Sequence, residues 1–371
     1  MRTAPPRFTD SPNARSKSIT TAEGRDTYGI LNQHSVGNTA FQVGVSEDKG
    51  TRRYMEDAHS FVVDYAGVRG QGFFAVFDGH AGKHAAEWCG QHFHEYLLNA
   101  LRTSRSTTIP DILNETFHTV DRRLSHLCEE SDGKIHSGCT VATAFLRIED
   151  EYGRQPFLKS PPTTPEHNRN HSSGSDSHSG ESGEETGPSG AKNHKKTKTD
   201  LPPHPSQPAT SPPSSPPVIT PPRSCRRVLY TANAGDARAV LCRAGKAVRL
   251  TYDHKGSDKQ EAKRITDAGG FVMSGRVNGV LAVTRSLGDS SMKEFVVGSP
   301  YTTETQFLIL ACDGLWDITG DQSAIDLVRH IEDAQEASYT LVQHALSRLT
   351  NDNVTVVVVR FRKPAKRSSS R

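Results

Sequence analysis

The sequence lacks the motifs that mark several common enzyme classes. None of its six cysteines forms a CxxC pair, and none is followed six positions later by an arginine. A zinc site, a redox pair and a cysteine-nucleophile phosphatase are therefore not expected. The motifs GxxxxGK[ST] and HExxH and the signature loops of kinases are also absent. Most of the cysteines lie in apolar runs, which is typical of core residues in a reducing compartment.

The chain also has little net charge and no long apolar run. Its apolar runs are far short of a membrane span, and the first 18 residues contain no apolar core typical of a signal peptide. A net charge of +3 gives no electrostatic reason to bind nucleic acid. We therefore expect a soluble monomer in the cytoplasm, the nucleus or both, with neither a membrane nor a nucleic acid as partner.

Proline is concentrated in one segment, because 15 of the 21 prolines lie between Pro156 and Pro222, among serine, histidine and charged runs. Such a segment buries too little apolar surface to offset the entropy lost on ordering. We expect a disordered tail at 1–38, one folded domain at 39–362 interrupted by a disordered insert at 151–225, and a basic tail at 363–371. Ser-Pro and Thr-Pro pairs in the insert are minimal sites for proline-directed kinases, or chance matches in a proline-rich tract.

Hydrophobic periodicity predicts an α+β fold. Helical spacing of apolar residues indicates helices at 82–101, 109–130, 257–268, 322–331 and 334–347. Short apolar runs indicate strands at 41–45, 60–64, 72–77, 140–148, 227–232, 239–242, 307–312 and 354–361. Gly235-Asp236 lies between two of these runs and predicts a hairpin. Strands and helices do not alternate one to one, which favours packed antiparallel sheets with helices outside.

Aspartates lie at the ends of three apolar strands. Asp78 follows the run at 72–77, Asp313 follows the run at 307–312, and Asp352 precedes the run at 354–361. An aspartate at one strand end is usually a turn former or a helix cap. Three together predict a site for Mg²⁺ or Mn²⁺, which prefer oxygen ligands. Two such ions suit phosphate ester hydrolysis.

Three basic residues near these acids are candidates for handling phosphate. Arg52 and Arg53 stand beside Glu56-Asp57, where an arginine can bind a phosphate through two hydrogen bonds or simply lie at the surface. His80 follows Asp78-Gly79 and can protonate a departing alkoxide or play a structural part only.

Eight motifs in this order resemble the metal-dependent protein phosphatase 2C family, most closely its fungal enzymes. They cover nearly all of 42–148 and 227–361, and they read RRYMEDAH, FFAVFDGHAG, SGCTVATA, YTANAGDARAVL, LTYDHK, NGVLAVTRSLGD, FLILACDGLWD and NDNVTVVVV. The resemblance implies a four-layer α-β-β-α sandwich of two antiparallel sheets flanked by helices. It implies hydrolysis of phosphoserine and phosphothreonine in proteins by a metal-activated water. The implied cofactors are two Mg²⁺ or Mn²⁺ ions and a weaker third.

The resemblance also implies a role for each motif residue. Asp78 would bridge both metals, Gly79 would bind through its carbonyl, and Asp313 and Asp352 would ligate the second metal. Water ligands would be held by Glu56 and Asp57, and the third metal by Asp236 and Asp317. Arg52 would bind the phosphate and His80 would be the general acid.

Analogy with the family further suggests phosphorylated protein substrates such as stress-activated, mitogen-activated protein kinases in a signalling pathway. A pseudophosphatase that binds phosphoproteins without turnover is the alternative, but it would need a broken metal ligand. A two-metal nuclease is a third hypothesis, which the near-zero net charge disfavours.

One segment departs from the family pattern. Only Tyr301 to Gln306 joins Gly298-Ser299-Pro300 to the strand before Asp313. At about 3.3–3.6 Å per residue this segment spans about 20 Å, too little to form a strand and return. We therefore expect one of two things: one family strand is missing or merged, with an unpaired sheet edge near Val296 and Val297, or the gene model skips coding sequence here.

Overall fold

The computed structural model describes residues 40–106, 108–158, 218–304 and 308–362. The strands, in chain order, are β1 (Phe41–Asp48), β2 (Ala58–Val63), β3 (Gly72–His80), β4 (Gly138–Glu149), β5 (Arg226–Ala234), β6 (Arg238–Arg243), β7 (Lys246–Arg249), β8 (Val272–Met273), β9 (Arg276–Val277), β10 (Leu287–Gly288), β11 (Tyr301–Glu304), β12 (Leu308–Ala311) and β13 (Val354–Phe361). The helices are α1 (His84–Thr103), α2 (Ile109–Glu130), α3 (Lys259–Asp267), α4 (Asp313–Trp316), α5 (Asp321–Val328) and α6 (Ala334–Ser347).

Most strands belong to two antiparallel sheets. The first sheet has the order β1-β13-β12-β6-β7, and the second sheet has the order β11-β5-β4-β3-β2. The two-residue strand β10 adds to the second sheet by pairing with β4, and β8 and β9 form a separate short ribbon. The β1–β13 pair brings the two ends of the described chain together over eight residue pairs.

Both faces of each sheet are buried, which explains the near-continuous apolar runs. Successive side chains of a strand point to opposite faces. In β3, Phe73 and Phe77 pack under α1 and α2, whereas Phe74 packs between the two sheets. In β13, Val357 also lies between the sheets, whereas Val358 packs under α4, α5 and α6. Three apolar layers therefore separate four layers of structure, and the predicted α-β-β-α sandwich is confirmed.

Side-chain caps explain where three of the helices begin. The Thr108 hydroxyl accepts a hydrogen bond from the backbone N–H of Asp111 at 3.3 Å before α2. Asp258 and Asp333 each accept two backbone N–H groups at the starts of α3 and α6. These caps satisfy donors that the first helical turn leaves unpaired. None of the described helices combines the length and apolar character that crossing a lipid bilayer requires.

The hairpin predicted at Gly235-Asp236 is wrong. β5 ends at Ala234 in the second sheet and β6 begins at Arg238 in the first sheet, so the chain crosses between the sheets here. Gly235 has a φ of 98°, and a Cβ at this position would lie 2.4 Å from the Cβ of Thr140. Only glycine fits this crossing, which places Asp236 at the end of the sandwich where the two sheets meet.

The unpaired edge predicted near Val296 and Val297 is also wrong, and the short segment after Pro300 does form a strand. Tyr301–Glu304 forms β11, which pairs with β5 along the second sheet. The segment needs no return, because β12 lies in the other sheet. Val296 is fully buried, and the Val297 carbonyl accepts a hydrogen bond from the backbone N–H of Ser286 at 3.2 Å. Phe307, which was predicted to begin the next strand, lies outside the described residues.

The edges of the predicted insert at 151–225 pack against the domain. The backbone N–H of Ile219 donates to the Gly67 carbonyl at 2.8 Å, and the N–H of Arg69 donates to the Ile219 carbonyl at 2.8 Å. The Gln155 amide donates to the Gln71 side chain at 2.8 Å. Residues 151–158 and 218–225 are therefore parts of the folded unit. The rest of the insert, residues 159–217, and the predicted tails at 1–38 and 363–371 lie outside the described residues.

Candidate metal centre

Three aspartates form a compact group at one end of the sandwich. Asp78 lies in β3, Asp236 in the crossing between β5 and β6, and Asp313 at the start of α4, directly after β12 and Cys312. One carboxylate oxygen from each lies within 4.8 Å of the other two. We call these residues the acid cluster. Two of them were predicted as primary ligands, but Asp236 was assigned only to a weaker third metal.

The electrostatics of the acid cluster favour a cation. Burial, then the charges of Asp313 and other nearby aspartates, raise the pKa of Asp78 well above its usual range. Burial, with repulsion from Asp236 and Asp317, raises the pKa of Asp313 to about 8. Like charges held close together disfavour ionisation. A bound divalent cation reverses this effect because it stabilises the ionised carboxylates.

Asp236 has one oxygen paired and one oxygen without a partner. Its Oδ2 lies 3.1 Å from Nζ of Lys255, while its Oδ1 is buried with no hydrogen bond. The same ammonium lies 3.1 Å from Oδ1 of Asp317. Burying a carboxylate oxygen without a hydrogen-bond partner destabilises a folded protein unless an ion or a water binds that oxygen. The donor set of the acid cluster therefore fits a hard divalent cation.

Lys255 was not predicted as a site residue. Burial would lower its pKa, but Asp236 and then Asp317 hold the pKa of this ammonium above its usual value. Its position beside the acid cluster depends on the backbone between β7 and α3, where it bridges to Val283. Sequence spacing alone gave no sign that this lysine faces two aspartates from other parts of the chain.

Glu56 and Asp57 enter the site from the segment before β2. Asp57 is 7% exposed, and its Oδ2 accepts a hydrogen bond from the Thr355 hydroxyl at 2.8 Å. Burial raises the pKa of Asp57 to about 7 despite this hydrogen bond. A Cβ on Gly79 would lie 2.2 Å from the Glu56 carbonyl oxygen, so the glycine lets β3 and the segment before β2 touch. The structure thus brings the segment before β2 against Gly79, and Asp57 lies close enough to Asp78 for its charge to raise the pKa of Asp78.

Asp352 lies at the margin of the site. Its Oδ2 is 2.6 Å from a terminal nitrogen of Arg52, and the two side chains are 34% and 49% exposed. Nε of Arg52 also donates to the Asn351 carbonyl at 2.9 Å. Asp352 contributes to the charge that Asp78 experiences but is not within the compact group. The predicted phosphate-binding arginine and one predicted metal ligand are therefore ion-pair partners in this structure.

Asn353 organises the loop that carries Arg52, a role that sequence reasoning missed. Its Nδ2 donates to the carbonyls of Lys49 and Tyr54 at 2.9 and 3.0 Å, and its Oδ1 accepts from the backbone N–H of Glu56 at 2.8 Å. The side chain is 4% exposed. The sequence shows Asn353 beside Asp352 at the start of β13. Its hydrogen bonds to a loop about 300 positions away leave no local sequence pattern.

His80 lies at the end of β3 with its side chain 24% exposed. Its Nε2 is 2.7 Å from Oδ2 of Asp289, a residue to which sequence reasoning gave no role. The sequence suggested that Asp78, Gly79 and His80 follow the strand. In the structure β3 continues through all three, so they are strand residues.

The site residues therefore fall into three groups. Asp78, Asp236 and Asp313 come together, with Asp57 and Asp352 close enough to raise the pKa of Asp78. The remaining predicted residues are placed around this centre, and they are Glu56, Gly79, Asp317, Arg52 and His80. Arg53 lies against the ring of Tyr54, with its guanidinium carbon 5.1 Å from the ring centroid.

Comparison with known proteins identifies a family that this chain matches. The model of the family described as Protein phosphatase 2C matches residues 41–152 and 218–354. Protein phosphatase 2C homolog 1 of Saccharomyces cerevisiae is 40% identical over 329 residues, 86% of this chain and 93% of that protein. The protein of the same name from Schizosaccharomyces pombe is 39% identical over 325 residues, 85% of this chain and 72% of that protein.

A solved structure shares the fold at lower identity. The serine-threonine phosphatase 2C of Toxoplasma gondii superposes with a TM-score of 0.56 at 17% identity, covering 87% of this chain and 96% of that one. This likeness supports the sandwich architecture. The matched ranges of the family model stop and resume at the two edges of the insert, at residues 152 and 218.

Proposed function

The chain belongs to the protein phosphatase 2C family and is a protein serine/threonine phosphatase, and we propose that it hydrolyses phosphoserine and phosphothreonine at the acid cluster with the help of divalent cations. The observation that carries this proposal is the compact group of Asp78, Asp236 and Asp313, which lies at the end of the sandwich with raised carboxyl pKa values and a buried oxygen without a partner.

The proposed metal ligands are the acid cluster, the Gly79 carbonyl and Asp352, with Glu56 and Asp57 holding water ligands and Asp317 supporting a weaker third ion. Two Mg²⁺ or Mn²⁺ ions held by these residues would supply a nucleophilic water near neutral pH and would neutralise charge on the phosphate. Hard oxygen donors suit these ions, and none of the proposed residues offers sulfur.

Arg52 is the proposed phosphate-binding residue. Its guanidinium is half-exposed and already binds the carboxylate of Asp352, whose charge contributes to the raised pKa of Asp78. A planar guanidinium that binds a carboxylate can bind a phosphate with the same geometry. A phosphate arriving at the site would be a second anionic partner for Arg52. By binding it, Arg52 would orient the phosphate ester for attack.

His80 is the proposed general acid. The serine or threonine oxygen leaves as a strongly basic alkoxide unless it receives a proton. When the P–O ester bond breaks, the His80 imidazolium gives its proton to that oxygen, and water supplies the oxygen that joins phosphorus. The net reaction consumes one water, releases an alcohol side chain and inorganic phosphate, and solvent reprotonates His80.

The proposed substrates are phosphorylated proteins, and the family suggests stress-activated, mitogen-activated protein kinases in a signalling pathway of the cytoplasm or nucleus. A protein substrate fits the near-balanced net charge of +3 better than a nucleic acid does. A monomer suffices for this chemistry, because all of the proposed residues come from one chain.

Phosphate release from a phosphothreonine peptide tests the proposal. We expect turnover with Mn²⁺ and none in excess chelator. Asp78→Asn should abolish turnover without unfolding the chain, since it removes a charge from a repulsive group. Asp326→Asn, on the exposed face of α5, is the matched control and should keep full turnover. Appreciable turnover in chelator would refute the proposal, and so would folded wild-type protein that stays inactive with Mn²⁺ and Mg²⁺.

A further inference from the structure

Asp289 approaches His80 from a different part of the chain. The two residues are 209 positions apart, yet Oδ2 of Asp289 lies 2.7 Å from Nε2 of His80. Asp289 is 8% exposed and follows β10 directly. Asp289 is not one of the proposed metal ligands. Within the described residues, it forms no hydrogen bond with the acid cluster or with Arg52.

The register of three strands explains how the carboxylate reaches the imidazole. His80 of β3 is opposite Gly138 of β4, and Gly138 is opposite Gly288 of β10. Asp289 therefore has to pass over position 138 to reach His80. A Cβ at Gly138 would lie 2.2 Å from Oδ2 of Asp289, so any larger residue would fill the space that the carboxylate occupies. The glycine opens the path between the two side chains.

Several contacts fix the carboxylate in this place. The Ser286 hydroxyl, fully buried, donates to the same Oδ2 that faces His80. Asp289 has a φ of 48°, in the left-handed region that an aspartate adopts at some cost. The preceding residue is held too, because the backbone N–H of Gly288 donates to Oδ1 of Asp121 at 3.0 Å. Lys293 pairs with that Asp121 oxygen at 2.8 Å.

We propose that Asp289 is the positioning residue of the general acid: it holds the His80 ring so that its other nitrogen faces the leaving oxygen. A carboxylate only accepts hydrogen bonds, so Nε2 of His80 is the donor in this pair and Nδ1 is the nitrogen left for the substrate. The bond formed by one ring nitrogen sets the state and orientation of the other. Asp289 does not itself exchange the proton. This inference rests on the proposed role of His80 as general acid.

The test compares two substrates whose leaving groups differ in basicity. A phosphothreonine peptide needs a proton on its leaving oxygen, whereas p-nitrophenyl phosphate needs little help. General acid catalysis contributes about 10²–10⁴-fold, and we expect Asp289→Asn to remove about 10–100-fold of kcat on the peptide. The loss on the aryl phosphate should be at least tenfold smaller, and KM should change little, because Asp289 does not bind phosphate. Glu294→Gln is the matched control, since it removes an exposed acid from the same loop.

A double-mutant cycle separates failure of this inference from failure of the proposed function. If Asp289 acts through His80, adding Asp289→Asn to His80→Ala should cause no further loss on the peptide. Independent, multiplicative losses would overturn the inference while leaving His80 as the acid. Equal losses of His80→Ala on both substrates would instead refute the acid role on which it rests.

Two further measurements keep the test decisive if a variant is less stable. Long-range ¹H–¹⁵N spectra at fixed pH report which nitrogen of His80 carries the proton, and Asp289→Asn should change that pattern, whereas Glu294→Gln should not. Asp289→Glu should not restore peptide turnover, because its longer side chain has no room above Gly138. A folded Asp289→Asn protein with the wild-type His80 spectrum and an equal loss on both substrates would overturn the proposal.

Discussion

Replacing Asp313 by asparagine should stabilise the metal-free protein at neutral pH. The folded chain raises the pKa of Asp313 to about 8, from its ordinary value of 3.8. The folded state therefore holds this proton more tightly than the unfolded state does. The stability that this proton contributes is full below pH 4 and is lost as the pH rises towards 8. Asparagine carries no charge, so the variant escapes this loss.

The size of the effect follows from the shift. One pKa unit corresponds to about 1.4 kcal/mol. At pH 7.5 the Asp313 carboxyl is ionised in the unfolded chain but still largely protonated in the metal-free fold. This difference lowers the free energy of unfolding by up to about 5 kcal/mol. Other members of the acid cluster share that repulsion, and the asparagine amide must also lose its hydration. We therefore expect a gain of about 1–3 kcal/mol, which corresponds to a rise in Tm of about 3–8 °C.

Thermal melts followed by circular dichroism in excess chelator give the measurement. The advantage of Asp313→Asn should grow between pH 5.5 and pH 7.5, because the wild type loses stability across this range. Mn²⁺ should reverse the order, since a cation that binds only the folded wild type raises its Tm. Asp326→Asn serves as the exposed control and should melt within about 0.5 kcal/mol of wild type. A variant that melts no higher than wild type in chelator at pH 7.5 would refute the reasoning.

Three other predictions concern separate parts of the chain. Lys255→Met should lower the Tm in chelator by leaving Asp236 and Asp317 without a cation, and melts should show a smaller effect in Mn²⁺; equal effects in both would contradict it. Gly314→Ala would place a Cβ 1.9 Å from the Asn353 carbonyl oxygen and should cost about 1–3 kcal/mol in denaturant unfolding, whereas Gly320→Ala, whose Cβ would meet only the Ser323 hydroxyl oxygen at 4.0 Å, should cost less. Replacing 159–217 by a short Gly/Ser linker should leave peptide turnover unchanged, since loop length alters closure entropy slowly; a collapse of turnover would refute this.

Local patterns predicted the layers of the fold well. The strand at Val354–Phe361 and the helix at Ala334–Ser347 match the structure at both ends. Both have strong periodicity, and Asp333 marks the start of the helix with its cap. The continuous valines of the strand also signalled that both faces are buried, as the two apolar layers beside it show.

The pairing of strands could not be predicted from local sequence patterns in the same way. Leu229 and Val240 lie on two apolar runs separated by Gly235-Asp236, and such spacing is typical of a hairpin. Whether the chain turns back or crosses to another sheet depends on where β4 and β12 lie, and both are distant in sequence. The same limit applies to Ile219, whose hydrogen bonds to Gly67 and Arg69 tie the end of a proline-rich segment to the domain.

The acid cluster could be predicted from the sequence only in part, because some of its contacts depend on how distant segments of the chain come together. Asp78 and Asp313 each stand beside a glycine and an apolar strand, so motif reasoning found them. Asp236 joins them only because the chain crosses between sheets, and Lys255 reaches it from a loop with no metal-site pattern. One ammonium cannot balance three neighbouring carboxylates, and the pKa values of Asp78 and Asp313 stay raised in its presence. The folded chain thus carries an excess of buried negative charge that only further cations or protons can offset, so divalent ions should support its stability at neutral pH as well as its catalysis.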